Sequence, residues 1–383
     1  MNYKYYEASF EKKYEGKPIL VRSPGRINLI GEHTDYNLGF VMPAAVDKET
    51  VLALRANESN EVRITALDFE EEVSFSLNDI QSVTTPWAKY MAGVIDQLQQ
   101  QGHKIEGFDC VFGGTIPIGS GMSSSAALEC GTGYGLQLLF DLELTPIELV
   151  KSAQKAENDF VGVKCGIMDQ FASVFSKAGH VIKLDCRDLS YSYYPAELGD
   201  YCLLLFDSQV KHSLASSEYN VRRQECNEAV EILNRKFGGV ESLRDCTHDM
   251  LAQTISDMPG KVGDRAKFIF GEIERVTLAA SALEKGDLRE LGALMYETHT
   301  GLSKQYEVSC PELDLLVETT QSMPEVLGAR MMGGGFGGCT INLIRKDSLE
   351  EVKERVINAY KTKFNIDPKV YEVNIAGGTS QVE

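Results

Sequence analysis

Residues 117–127 read PIGSGMSSSAA, with two glycines, four serines and no charged side chain. Small side chains let a phosphate reach the backbone, and the free N–H groups that open a helix complement its charge. The hydroxyls of Ser123, Ser124 and Ser125 add donors and candidate Mg2+ ligands. The loop lacks lysine and the GK[ST] ending, so it is not a Walker A loop. A serine-rich linker is the bland alternative. A strand directly before the loop and an apolar helix directly after it weigh against that, and phosphate binding is the chemistry these residues suit.

Two further segments set charge among apolar residues. Residues 26–37, RINLIGEHTDYN, carry Glu32, His33 and Asp35. These offer acceptors and a switchable donor, which suits a polyhydroxylated ligand; as a metal site the trio would need a fourth ligand from elsewhere. A solvated turn is the alternative, but Ile27, Leu29 and Ile30 argue for a turn held against a core. Between Lys164 and Lys177 the only charged side chain is Asp169, in CGIMDQFA. It is either a helix cap after the Gly166 turn or a site residue, and the residues alone leave both open. A catalytic role needs a cation to keep it ionised, and Arg26 is a candidate. The run GGGFGG at 333–338 formally contains GxGxxG. The residues after it read as a strand, so the dinucleotide fingerprint fails on context. It is either a plain turn or a flexible wall over a ligand.

The elements that must position these groups follow from periodicity. Strands are expected at 17–22, running into a turn at Ser23-Pro24-Gly25, then at 41–54, 62–67 and 108–112. A helix over 87–101 and an apolar helix over 126–140 flank the last of these. Thr145-Pro146-Ile147-Glu148 forms a capping box that opens a helix. Its stripe Val150, Ala153, Glu157, Phe160 includes a carboxylate that needs explaining. A second set of elements starts near 200: helices over 217–236 and 267–284, a stop at Gly286 with a cap at Asp287, and a helix to Gln305. Strand 339–344, helix 349–363 with the capping box Ser348/Glu351, and strand 370–375 complete it. These elements read as an N-terminal α/β domain, 1–198, and a C-terminal α+β domain, 199–383, in a chain that is α+β as a whole.

Composition narrows the class. Over 383 residues, 38 Lys and Arg against 56 Asp and Glu give a net charge of −18. No cationic field covers the chain, so nucleic acid and anionic membrane are excluded as general partners. The N-terminus has no apolar signal region and no run reaches membrane-spanning length; a soluble, cytoplasmic protein is expected. Nine cysteines without CxxC read as buried free thiols, and six scattered histidines make a structural metal site improbable.

Together these motifs resemble the galactokinases of the GHMP small-molecule kinase superfamily. GRINLIGEHTDYN (25–37) is similar to the signature that sets galactokinases apart. PIGSGMSSSAA resembles the superfamily phosphate loop, and GGGFGGC (333–339) its third motif. VKHSLASSEYNVRR (210–223), AENDF and CGIMDQFAS also match, and the likeness runs from about residue 18 to the C-terminus. Met122 stands where leucine is more usual, a volume-conserving swap.

The resemblance implies ATP-dependent phosphorylation of the anomeric C1 hydroxyl of α-D-galactose, giving galactose 1-phosphate and ADP. It implies Asp169 as the catalytic carboxylate, as base or electrostatic anchor, with Arg26 as its partner. Glu32, His33, Asp35, Gly166 and Tyr219 would contact the sugar. Pro117, Ile118, Gly119, Ser120, Gly121, Met122, Ser123, Ser124 and Ser125 would bind ATP, with Trp87 lining the adenine pocket. Ser125 and Glu157 would hold Mg2+, which accounts for the carboxylate on the apolar stripe. The implied fold joins a domain resembling ribosomal protein S5 domain 2 to a ferredoxin-like domain, with the site between them. A monomer is expected, since no heptad seam or long apolar edge stands out. Competing expectations are a sister kinase for N-acetylgalactosamine, a non-catalytic galactose sensor, and a kinase for another small alcohol, whose relatives lack the GEHTDY turn.

Overall fold

The computed structural model describes residues 2–211 and 215–383. Residues 212–214, part of the VKHSLASSEYNVRR segment, lie outside the described residues.

A six-stranded sheet runs in the order Ser380–Gln381, Ile19–Asn28, Pro43–Ala56, Phe108–Gly114, Glu61–Ala66, Glu71–Ser76. Only the pair Phe108–Gly114 and Glu61–Ala66 is parallel. Helices Ala88–Gln100 and Ser124–Phe140 cover one face, where Leu52, Leu54, Met91, Ile95 and Leu136 are fully buried. Val51, Ala53 and Val111 fill the other face beneath a helix, Tyr3–Lys13, that the tyrosine- and charge-rich N-terminus did not suggest. Its Tyr6 and Phe10, one turn apart, are its buried residues. Because the central strands are covered on both faces, they read as continuous apolar runs.

The first strand does not stop at Ser23-Pro24-Gly25 as expected. It continues to Asn28 through a bulge between Pro24 and Arg26, which accommodates the proline and re-aims the next side chain. A Cβ on Gly25 would lie 2.7 Å from the Met122 carbonyl, and that carbonyl accepts the Arg26 N–H at 3.0 Å. The bulge thus fixes strand and serine loop to each other.

The second sheet is antiparallel, ordered Val326–Met331, Gly337–Arg345, Tyr201–Lys211, Lys369–Val373. With helix Leu349–Phe364 between the last two strands in sequence, this is the ferredoxin-like arrangement. Leu204 and Phe206 face helices Pro311–Gln321 and Leu349–Phe364. Leu203 and Leu205 face the other way, into a core shared with Ile27, Leu29, Ile30, Val276, Leu291 and Met295. The charged turn is therefore flanked by a core common to both halves.

The expected helices appear as Ala215–Phe237, Val262–Glu284 and Leu288–Lys304, the last capped by Asp287 through the Glu290 N–H. The Thr145/Glu148 box forms; the Ser348/Glu351 box does not, and the Ser348 hydroxyl instead accepts from Arg345 Nη2 at 3.0 Å and donates to Asp347 at 2.8 Å. The helix expected to run through Phe160 ends at Lys155 and passes into a π-helical turn, Ala156–Val161. No described helix is long and apolar enough to cross a membrane.

Helix Leu288–Lys304 crosses strand Val326–Met331 backbone to backbone: a Cβ on Gly292 would lie 2.1 Å from the Leu327 carbonyl. Gly292→Ala should cost roughly 1–3 kcal/mol by overpacking and lower the melting temperature by several degrees. An unchanged melting curve would show that helix and strand separate freely.

Candidate active site

Arg26 and Asp169 form a bidentate pair: Nε to Oδ1 at 2.7 Å and Nη2 to Oδ2 at 2.8 Å. The bulge aims the arginine; the carboxylate stands in the first turn of the short helix Met168–Phe175, whose cap is Ile167 and not Asp169. Arg26 also donates to the Gly121 carbonyl, and the Ser123 hydroxyl donates to Asp169 Oδ2. Burial opposes the arginine's charge, but Asp169, then Glu32 and Asp35, outweigh it and raise its pKa. Of the four acceptor sites on a carboxylate, three of Asp169's are taken, leaving one on Oδ1.

One cavity of about 240 Å3 is lined by Arg26, Asp169, Glu32, His33, Asp35, Gly166 and Tyr219, with Glu157 and the 333–336 run closing it. The charged turn is tightly built. The Thr34 hydroxyl donates to the Gly31 and Phe40 carbonyls at 2.9 and 2.6 Å, and Asn37 donates to the His33 carbonyl at 2.9 Å. His33 adopts φ +64°, a strained backbone for a residue with a Cβ. Its Nδ1 lies 2.8 Å from Tyr36 Oη, which lies 2.7 Å from Tyr306 Oη, while Nε2 is enclosed. Burial, against a weaker pull from the Gly334 backbone, drives its pKa down to about 3. His33 is thus neutral at physiological pH, and the switchable donor expected from the sequence is a fixed neutral imidazole.

Glu32 Oε1 accepts from Arg330 Nη1 at 3.0 Å and from the Gly333 N–H at 2.9 Å. The third glycine motif therefore packs onto the charged turn. Gly166 must lack a side chain, because a Cβ there would fall 1.8 Å from Asp35 Oδ2. Burial, then the nearby Asp169 charge, pushes Asp35 up to about 7.

A second cavity, about 590 Å3, holds the whole loop Pro117–Ser125 together with Trp87, Phe69 and Tyr90. Trp87 Nε1 donates to Glu71 at 2.7 Å, and its ring is parallel to Phe69 at 6.3 Å. Gly119, Gly121 and Ser123 take left-handed backbone conformations as the loop turns into helix Ser124–Phe140. Arg26 and Gly334 line both cavities, so the Arg26–Asp169 pair stands where the two meet.

Glu157, on the π-helical turn, accepts from Gln170 Nε2 at 2.7 Å and Cys165 at 3.3 Å, with the Ser125 hydroxyl also bonded to it. Burial, then Asp169, pushes its pKa up to about 7. A π turn at a functional carboxylate is a common device. Gln170 also reaches Glu129 at 3.0 Å, a carboxylate wholly buried in helix Ser124–Phe140. A buried acid without a counter-ion beside a hydroxyl fits a divalent cation, which would ionise it. Among the described residues, no cluster of three His, Cys, Asp or Glu forms a ready-made metal site.

Every residue proposed from sequence lies at one of the two cavities. Sequence reasoning missed Arg330, Glu129 and Gln170. The first two carried the signal that singled out Asp169: each is the lone charge in a long uncharged stretch, 326–344 and 110–140.

Fold and site define a small-molecule kinase of the GHMP type. The family descriptions "GHMP kinases N terminal domain" and "GHMP kinases C terminal" match residues 89–177 and 279–362, and "Galactokinase galactose-binding signature" matches residues 8–56. The chain belongs to the galactokinase family. It is 41% identical to the galactokinase of Roseiflexus sp. (strain RS-1), covering 97% of this chain and 95% of that one. It is also 41% identical to that of Thermosipho africanus, covering 95% and 99%. The fold matches Lactococcus lactis galactokinase complexed with galactose at TM-score 0.95 and 35% identity, over 98% of both chains. Methanococcus jannaschii mevalonate kinase, at TM-score 0.65 and 18% identity over 95% and 100%, shares the fold.

The raised pKa of Asp35 makes a stability prediction. The folded state holds a proton that the unfolded chain releases near 3.8, so stability falls as pH rises between about 4 and 7. Asp35→Asn, which keeps an acceptor, should stabilise the ligand-free protein at pH 8 by up to about 4 kcal/mol and leave it unchanged near pH 4. Melting temperatures at both values check this; equal shifts at the two would refute it.

Proposed function

We propose that this chain transfers the γ-phosphoryl group of ATP to the C1 hydroxyl of α-D-galactose. The observation that carries the reading is the Arg26–Asp169 pair between a small cavity rich in hydrogen-bonding groups and a larger one holding the serine loop and Trp87. Glu32, His33, Asp35, Gly166 and Tyr219 bind the sugar. A neutral histidine, a carboxylate and the close-approaching Gly166 backbone suit hydroxyl recognition, where each unmatched partner is penalised.

The phosphates lie along Pro117–Ser125, with the helix start facing their charge. The sugar C1 oxygen bonds to the γ-phosphorus, the γ-phosphorus to β-oxygen bond breaks, and ADP leaves. The hydroxyl proton faces the free acceptor site of Asp169, which takes it or holds it in line; Arg26 keeps Asp169 ionised and offsets charge on the moving phosphoryl group. Ser125 and Glu157 would hold Mg2+, which when bound supplies positive charge to the phosphate oxygens. We take residues 1–198 and 199–383 as the two domains. The active form is a monomer, and nine thiols without a disulfide support a reducing, cytoplasmic setting.

A coupled ADP-release assay with ATP and Mg2+ over galactose, N-acetylgalactosamine, glucose, mannose and arabinose tests this. Galactose should turn over fastest, and Asp169→Asn should lower kcat by about a hundredfold or more. Preference for the N-acetyl sugar would move the assignment to the sister kinase. Galactose binding without ADP release would move it to a sensor.

A further inference from the structure

Glu272 lies in no motif and lines neither cavity, yet its side chain is fully buried beneath the charged turn. It belongs to helix Val262–Glu284 in the other half of the chain. Its Oε1 accepts the Gly31 N–H at 2.9 Å. Its Oε2 accepts from Arg275 Nε at 2.7 Å and from the Thr298 hydroxyl at 2.9 Å. Two donors thus fix one oxygen while the other is aimed at a single backbone amide.

That amide is the hinge of the turn. Gly31 sits at φ +97°, and a Cβ there would lie 2.8 Å from both the Phe40 carbonyl and Val276 Cγ2. Its carbonyl accepts from Thr34, so both of its flanking peptide groups are hydrogen-bonded to side chains. Glu32 follows immediately, and His33 takes its strained φ of +64° two residues on. Were the Gly31 N–H left unpaired in this buried place, the turn would lose the contact that sets where its ligand-facing groups begin.

We propose that Glu272 is a positioning residue for sugar recognition: it sets the affinity of the 31–36 turn through the Gly31 amide without touching the ligand. The proposal rests on the reading of that turn as the sugar site. Its effect should fall on galactose and not on ATP, because the phosphate loop is anchored separately by Arg26 and Asp169.

The test is a graded series, Glu272→Gln, Glu272→Ala and Thr298→Val, assayed well below their melting temperatures. Gln has one oxygen for three donors; turned to Arg275 and Thr298, it presents its NH2 group to the Gly31 N–H and loses that bond. Ala and Gln should each raise the KM for galactose roughly tenfold or more, with the KM for ATP within about twofold throughout. Hydrogen exchange over residues 29–37 should quicken in both Ala and Gln. Thr298→Val removes one orienting donor, and should give a small rise in galactose KM even if Ala does not fold. Equal changes in both KM values, or a melting shift without a KM change, would overturn the proposal. If the wild type does not use galactose, the functional reading has failed, and amide exchange alone then decides the role of Glu272.

Discussion

Charge neutralisation within one enclosed region is the constraint on which the rest of this structure depends. Glu32, Asp35, Glu129, Glu157 and Asp169 gather there, and two guanidinium groups, Arg26 and Arg330, answer two of them directly. The remaining three have no ion pair of their own among the described residues, and burial pushes the pKa of each upward. A site in that condition is poised for ligands that bring hydroxyl donors or positive charge. The unsatisfied carboxylates lower the stability of the empty protein, and the same groups gain most from a bound partner.

Holding such groups requires irregular backbone at chosen points. The bulge after Pro24 redirects a strand so that Arg26 leaves it toward Asp169. The π turn at Ala156–Val161 places Glu157 against Ser125 and Gln170. Left-handed residues at Gly31 and His33 fold the charged turn, and at Gly119, Gly121 and Ser123 they fold the serine loop. Each irregularity is braced by regular structure on at least one side: the six-stranded sheet, helix Ser124–Phe140, or helix Val262–Glu284. Strain of this kind persists where its surroundings over-determine it.

Much of this was legible in the sequence because local chemistry announced it. Apolar and β-branched runs located the strands, Thr145-Pro146-Ile147-Glu148 located a helix start, and a lone carboxylate among apolar residues located Asp169. The failures share a physical cause. Whether Ser23-Pro24-Gly25 turns or bulges depends on a partner strand, Pro43–Ala56, that pairs on both sides of the proline. Whether His33 is switchable depends on enclosure by Tyr36, Tyr219 and Tyr306, far apart in sequence. Arg330 and Glu129 were visible as isolated charges, but their partners were not. Glu272 was not visible at all, since Gly-Glu-Ile-Glu-Arg on an amphipathic helix looks like any solvated face.

Those long-range partners determine how binding and folding are joined. The turn that carries Glu32, His33 and Asp35 belongs to the first sheet's strand, but it is fixed by Arg330 from the second sheet and Glu272 from a helix packed on the shared core. Arg330 alone donates to the Leu29 carbonyl at 2.9 Å, the Asn28 carbonyl and Glu32. A buried guanidinium so engaged cannot release the turn without leaving several donors unpaired, each a substantial penalty. The halves therefore cannot separate while the groups that line the smaller cavity keep their geometry. Lobe packing and ligand geometry are one set of interactions, and a substitution at the seam, remote from any cavity, acts on recognition as directly as one within it.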